Sequence, residues 1–214
     1  MDGNRRWAKK RLLPSAAGHR AGGKNIVPVV KYALSYGVKV VSLYVFSTEN
    51  AGRSEAEVNA LIDLIRKQSG PMAEELFKMG ARVMYSGDRT YFPDDVQKIM
   101  ADVEKQITAP DAPIVNLAMN YSGRSEILHA CKLAAEIGDV TAKSIESALY
   151  TATIPDPDMI IRTGGEKRLS NFMLYQAAYS ELFFTDTLWP DFDGKELSAM
   201  FVEFSHRTRR FGKS

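Results

Sequence analysis

A single cysteine, Cys131, stands in the 214-residue chain, so no disulfide framework and no thiolate zinc cage can form within it. Its surroundings, Ile127-Leu128-His129-Ala130-Cys131-Lys132-Leu133, read as helix, and a small packed side chain is expected there. No apolar run approaches the roughly 18 residues of a membrane span. The opening residues Met1-Asp2-Gly3-Asn4-Arg5-Arg6-Trp7 carry no apolar h-region, so no signal peptide is expected. A soluble cytoplasmic protein is expected. There is also little net charge: 28 Lys and Arg against 26 Asp and Glu leave +2. That argues against a general nucleic-acid binder, although the basic residues cluster locally. Internal repeats, low-complexity tracts and convincing linkers are all missing.

What is present is a chain with 45% hydrophobic content, long enough for one well-buried domain over 1–214. Helical and strand patterns alternate. Gly22 to Tyr36 has helical spacing and Gly37 is a natural stop. Val38 to Phe46 is a β-branched run typical of a buried strand. Ser54 to Met79 reads as a long helix with a break at Gly70-Pro71. Ala81 to Tyr85, Ile114 to Met119, Asp158 to Ile161 and Glu181 to Thr185 read as strands. Pro93 to Thr108, Ser125 to Ile137, Lys143 to Tyr150 and Asn171 to Tyr179 read as helices. Asp193 with Glu196 forms a capping-box pattern opening a last helix through Phe204. Such alternation predicts an α/β fold with a mostly parallel sheet, helices on both faces, and ligands at the carboxyl ends of the strands.

Three polar clusters fall at expected strand ends. Arg162-Thr163-Gly164-Gly165-Glu166-Lys167-Arg168-Leu169-Ser170-Asn171-Phe172 follows the apolar run Met159-Ile160-Ile161. Guanidinium forks match phosphate oxygens two at a time, and glycines let backbone N–H groups approach them. Asp2-Gly3-Asn4-Arg5-Arg6-Trp7 and Gly18-His19-Arg20-Ala21-Gly22, placed before the first helix, suit another phosphate. Phe46-Ser47-Thr48-Glu49-Asn50, with Arg53 beyond, ends the strongest strand. Each has an ordinary structural explanation when taken alone: a turn, a helix cap, a solvated arginine. Together, two diphosphate-sized basic sites suggest two diphosphate substrates. Such substrates usually need a divalent metal, and Asp2 with Glu181 are plausible ligands.

In order along the chain, the segments Met1-Asp2-Gly3-Asn4-x-Arg6-Trp7-Ala8, Gly18 to Gly22, Leu43-Tyr44-x-Phe46-Ser47-Thr48-Glu49-Asn50, Arg162 to Phe172, and Ala178-Tyr179-Ser180-Glu181-Leu182 through Leu188-Trp189-Pro190-Asp191-Phe192 all resemble the cis-prenyltransferases of the undecaprenyl diphosphate synthase type. The resemblance covers essentially the whole chain and the set is highly specific. A Walker-type loop is lacking. So is the Asp-Asp-x-x-Asp motif of trans-prenyltransferases, since Asp94-Asp95 is followed by Val96-Gln97-Lys98.

The resemblance implies condensation of isopentenyl diphosphate onto an allylic diphosphate, often farnesyl diphosphate, with Mg²⁺ as cofactor. It implies a sheet of about six strands and an apolar tunnel for the prenyl chain. Val58, Leu61, Ile62, Ile65 and Phe77 could wall that tunnel, or could be ordinary core. By resemblance Asp2 is the essential acid and, with Glu181, the metal site. Gly3, Asn4, Arg5, Arg6 and His19 hold the allylic diphosphate, with Trp7 beside it. Arg162, Arg168, Leu169 and Ser170 hold isopentenyl diphosphate. Ser47, Thr48, Glu49 and Arg53 complete the pocket. The family assigns proton removal to the position of Asn50. A neutral amide is a poor base, so positioning, with diphosphate or water taking the proton, is an equal reading. The tail Arg209-Arg210-Phe211-Gly212 resembles a segment that reaches a partner subunit's active site, which implies a homodimer. A membrane surface is a further expected partner, since the product is a lipid.

Four positions depart from the pattern: Arg5 for a frequent glycine, Ser15 for an arginine, and Ala51 and Tyr175 for tryptophans. Losing a guanidinium at Ser15 costs on the order of 1–3 kcal/mol of binding unless Arg5 or Arg11 substitutes. The family also carries an apolar strand before its Asp-Gly-Asn turn, and this chain is expected to be N-terminally truncated relative to that pattern. Two other readings stay open: a non-catalytic family member serving as partner subunit, and a doubly wound anion- or nucleotide-binding module.

Overall fold

In the computed structural model, which describes residues 1–208, the elements in chain order are α1 (Asn4–Lys10), α2 (Ser15–Lys24), α3 (Ile26–Ser35), β1 (Val40–Ser47), α4 (Glu55–Lys78), β2 (Arg82–Ser86), α5 (Asp94–Glu104), β3 (Ile114–Tyr121), α6 (Gly123–Glu136), α7 (Ala142–Ala148), β4 (Met159–Arg162), β5 (Glu181–Phe184) and α8 (Gly194–His206). Short 3-10 turns at Thr48–Gly52, Arg89–Tyr91, Gln176–Tyr179 and Trp189–Asp191 join them. The chain forms two units that interleave in sequence. Unit one comprises Met1–Gly37, Asp156–Arg168 and the residues from Gln176 onward. Unit two comprises Val38–Pro155 and Leu169–Tyr175.

Unit two is built on a parallel sheet in the order β1-β3-β2. The central strand β3 is buried from Val115 through Tyr121, as expected of a parallel strand covered on both faces. Its two neighbours start level with it: Val40 and Arg82 both stand opposite Ile114. Register shifts near Phe46 bend the end of β1 as it turns into Thr48–Gly52. Helix α4 buries Val58, Ile62, Ser69, Ala73 and Leu76. It runs unbroken through Pro71, against the break expected at Gly70-Pro71. Proline removes one N–H and clashes one turn back, but side chains buried on both sides of it, Ile62 and Ser69 before and Ala73 and Leu76 after, hold the helix. The stretch expected to be a helix from Asn171 is not one before Gln176. Ser170, Asn171 and Met173 take left-handed backbone, with φ of 47°, 65° and 44°, so no helical turn can propagate. Asn171 instead closes α6: its carbonyl accepts from Gly123 N (2.7 Å) and its Oδ1 from Arg124 N (2.9 Å).

Unit one pairs β4 with β5 in parallel, Met159 opposite Glu181 and Arg162 opposite Phe184. The expected α/β class therefore holds, with every strand pair parallel and helices interleaved. The strand count does not: five described strands divide between a three-stranded and a two-stranded sheet. The segment Gly18–Gly22 also differs from expectation, because it lies inside α2 rather than before the first helix. Propensity disfavours a helix with three glycines by about 1 kcal/mol each. Packing overrides it here. A Cβ on Gly18 would stand 1.9 Å from the Asn4 carbonyl oxygen, and one on Gly22 would stand 2.2 Å from Asn4 Oδ1. The glycines are the face on which α1 rests.

Helix α1 ends in a Schellman motif. Leu12 N donates to Lys9 O (3.1 Å) and Leu13 N to Ala8 O (2.9 Å). Glycine usually fills the left-handed position of this motif, but here it is Leu12 with φ 56°, at a cost of about 1–2 kcal/mol. At the other end of unit one, Asp193 Oδ1 caps α8 by accepting from Glu196 N (2.9 Å), as the sequence pattern predicts.

Gly18→Ala will test the packing of α1 on α2. Overpacking of this kind costs about 1–3 kcal/mol, so its urea unfolding midpoint should fall clearly below that of the parent chain. An unchanged midpoint would mean that the helices separate without penalty.

Candidate active site

Asp2 sits at the carboxyl end of β4. Its N–H donates to Thr163 Oγ1 (2.9 Å), and that buried hydroxyl donates back to the Asp2 carbonyl (2.9 Å). Trp189 N donates to the same carbonyl at 2.9 Å. The carboxylate meets two arginines. Arg162 Nη2 donates to Oδ2 at 3.0 Å, and Arg6 Nη2 lies 3.3 Å from Oδ1. Partial burial pushes the Asp2 carboxyl up, but the bond and charge of Arg162, then the charge of Arg6, outweigh it and hold the group below its ordinary value. Arg6 also donates to Gly164 O (2.6 Å), and Arg162 to Arg168 O (2.7 Å). Arg168 pairs with Glu166 at 2.5 Å. Three guanidinium groups and two carboxylates thus form one network in unit one.

The two glycines of the arginine loop act differently from expectation. Both are left-handed, with φ of 88° and 80°. Gly164 N donates to Thr187 O and Gly165 N to Thr185 O, each at 2.8 Å, so neither amide is left for a phosphate. The lack of a Cβ at Gly164 instead admits Arg6, whose Nη2 would stand 2.7 Å from such an atom. The groups left to meet an anion here are side chains.

Gly3 opens α1 with φ 109°, and a Cβ there would press on Leu188 at 2.8 Å. Asn4 Oδ1 is buried with no hydrogen-bond partner among the described residues. His19 lies on α2, Arg5 on the exposed side of α1. Trp7 Nε1 donates to Asp191 Oδ1 at 2.6 Å. Arg11 stacks on the Trp7 ring at 4.1 Å and binds the same carboxylate at 3.1 Å. Arg11 is therefore engaged by Trp7 and Asp191.

Glu181 does not join Asp2. It opens β5 opposite Met159, at the far end of the ladder from Arg162, and pairs with Arg207 at 2.8 Å. The reason is register: parallel pairing puts the start of β5 beside the start of β4. Among the described residues no group of three or more His, Cys, Asp or Glu could hold a metal ion.

In unit two, Ser47 and Asn50 form a capping box at the Thr48–Gly52 turn, where Ser47 N donates to Asn50 Oδ1 at 3.4 Å. Thr48 opens that turn. Glu49 accepts from Asn171 Nδ2 at 2.8 Å. Burial pushes the Glu49 carboxyl up, but this bond and further ones from its own turn bring it below its ordinary value. Arg53 is committed to Glu57, one helical turn on, at 2.9 Å. Leu169 is half-buried and Ser170 exposed. A buried carboxylate escaped the sequence reading: Glu126, fully buried, accepts from Tyr121 Oη at 2.5 Å. Burial and the Glu126 charge push the Tyr121 phenol far up, so it stays a donor. Only the position of Glu126 in the first turn of α6 hinted at it, and that reads as capping. A cavity of about 430 Å³ lined by Tyr85, Asp88, Arg89, His129 and Tyr150 also lies in unit two. Of its charged groups, Arg89 pairs with Glu104, and Asp88 accepts from the Thr90 hydroxyl.

Residues 1–212 match the family described as putative undecaprenyl diphosphate synthase. The chain belongs to the cis-prenyltransferase family. An isoprenyl transferase of Aquifex pyrophilus is 41% identical, over 100% of this chain and 93% of its own length. The (2E,6E)-farnesyl-diphosphate-specific ditrans,polycis-undecaprenyl-diphosphate synthase of Pseudomonas aeruginosa is 41% identical, over 100% and 88%. Among solved structures, lavandulyl diphosphate synthase of Lavandula x intermedia, in complex with dimethylallyl diphosphate, has a TM-score of 0.93 at 30% identity, covering 100% and 95%. A probable undecaprenyl diphosphate synthase of Campylobacter jejuni gives 0.82 at 31%, covering 90% and 92%. The chain is thus a cis-prenyl diphosphate synthase by family, and an enzyme. For a cis-prenyltransferase the network around Asp2 has the right chemistry, since diphosphates are its substrates and guanidinium groups bind them.

The depressed carboxyl of Asp2 makes a stability prediction. A group held below its unfolded value stabilises the fold above that value and loses the contribution as pH falls through the folded one. The stability difference between the parent cis-prenyltransferase and Asp2→Asn should be constant at neutral pH and shrink once the pH drops below the ordinary value of 3.8. Urea titrations at pH 7 and at pH 3 will read it. An equal difference at both would show that the arginines do not act on the Asp2 charge.

Proposed function

We propose that the chain condenses isopentenyl diphosphate onto an allylic diphosphate, with Mg²⁺, to give a cis-polyprenyl diphosphate. Farnesyl diphosphate is the proposed starter, which the specificity named for the Pseudomonas aeruginosa relative supports. The allylic diphosphate in the lavandulyl diphosphate synthase structure supports the ligand class. The observation that carries the reading is Asp2, an ionised carboxylate between Arg162 and Arg6 at the end of β4.

Asp2 presents two hard oxygen donors, and Mg²⁺ is commonly held by one or two carboxylates together with substrate phosphates. That donor set fits the ion. Glu181, tied to Arg207 at the other end of β5, is left out of the assignment. Bound Mg²⁺ would neutralise charge growing on the departing diphosphate. Arg6, with Gly3, Asn4, Arg5 and His19, is assigned to the allylic diphosphate, and Trp7 to the side of its chain. Arg162 and Arg168 are assigned to isopentenyl diphosphate.

The reaction breaks the allylic C–O bond, and diphosphate takes the electron pair. The isopentenyl double bond then attacks the allylic carbon, and a neighbouring C–H proton is lost. Arg6 stabilises the leaving charge in a site where hydrogen-bond donors are already oriented. The proton is assigned to released diphosphate or water, because the Asn50 amide is a poor base and caps its own turn. In unit two, the half-buried Leu61, Leu64 and Ile65 of α4 are the candidates to line the prenyl tunnel. A homodimer is part of the proposal; the tail from Arg209 lies outside the described residues.

Incorporation of labelled isopentenyl diphosphate into farnesyl diphosphate tests the reading. Activity should require Mg²⁺ and vanish with EDTA. Asp2→Ala should lower kcat by about 10²–10³. Arg168→Ala should raise KM for isopentenyl diphosphate about 10- to 100-fold, the worth of one charged hydrogen bond. A folded chain that incorporates nothing with any allylic starter would refute the reading and leave that of a partner subunit.

A further inference from the structure

The hinge between α1 and α2 has features that prenyl transfer leaves unexplained. Leu12 is 96% exposed and Leu13 44%. Leu12 also holds the left-handed position that glycine usually fills. Neither burial nor backbone preference accounts for a leucine there. Arg5, Lys9, Lys10 and Arg11 are exposed beside it. The charge pattern is one-sided: residues 3–37 hold eight Lys and Arg and no Asp or Glu, although the whole chain carries only +2.

We propose that this hinge is a docking surface for an anionic lipid bilayer, with Leu12 and Leu13 entering the headgroup boundary and Lys9 and Lys10 meeting lipid phosphates. Apolar tips within a basic surface are what interfacial binding requires, since neither a few leucines nor a few lysines suffices alone. No described helix is long and apolar enough to cross a membrane, so this contact is peripheral. An acidic protein or a nucleic acid would answer the lysines but give the leucines no place to go. The proposal rests on the prenyl-transfer reading for its purpose, because a polyprenyl product belongs in a bilayer.

Sedimentation with vesicles of phosphatidylcholine alone, or with 30% phosphatidylglycerol as an order-of-magnitude choice of surface charge, reads docking without any substrate. The full chain should bind the anionic vesicles, bind neutral ones weakly, and be released by salt. Leu12→Ser with Leu13→Ser should lower partition about tenfold. Lys9→Glu with Lys10→Glu should lower it by about 25-fold or more, at roughly fivefold for each lysine removed. Circular dichroism checks folding, and prenyl transfer in detergent solution, read in parallel, should match the parent chain for both variants. The proposal is overturned if the chain stays off anionic vesicles, binds neutral ones equally, or binds undiminished without the two leucines. That last result would mark the face as merely basic. Loss of transfer in detergent with vesicle binding intact would count against the prenyl reading instead.

Discussion

The attachment of Asp2 to the end of β4 is the constraint on which the candidate site depends. Met1 to Gly3 has no helix or strand of its own. Its position comes from reciprocal bonds with Thr163, a bond from Trp189 N and the grip of Arg162. The main-chain bonds decide where the carboxylate stands; the arginines decide that it is charged. Everything that follows along α1 starts from there. Gly3 turns the chain beneath Leu188, and α1 then lies on the glycine face of α2.

Like charges converge at this point. Arg6, Arg162 and Arg168 would repel one another in isolation, and Asp2 and Glu166 offset that repulsion. The balance leaves a site that is ionised, hydrogen-bonded and still rich in guanidinium. Groups already oriented by the fold lower the cost of binding a polyanion relative to groups that must be gathered. The Trp7, Arg11 and Asp191 cluster does similar work on the outer side of α1, holding an aromatic ring and a guanidinium against the Trp189–Asp191 turn.

Much of the fold was legible because period and punctuation agree in this chain. The runs that read as strands became β1 to β5, and the Asp193 and Glu196 pattern became the cap of α8. The misreadings share a cause. Pro71, the glycines of α2 and Asn171 each have a local preference that distant packing reverses or redirects. The loop glycines at 164 and 165 suit a phosphate cradle by residue type, yet their amides are already bound to Thr187 and Thr185. A sequence shows that a donor exists, not whether it is spent.

By itself the sequence determined the class of fold, the family and the inventory of the site: two arginines after a strand, and an Asp-Gly-Asn turn followed by two more. Those are properties of residue type and order. Tertiary structure alone decided which of these meet. It joined Asp2 to Arg162, residues separated by 160 positions, and kept Glu181 at the opposite end of β5 by parallel register. It buried Glu126 and left Leu12 bare. The physical reason is that burial, pairing and ionisation depend on distance in space. Local patterns fix the elements, but only their packing fixes the distances between side chains.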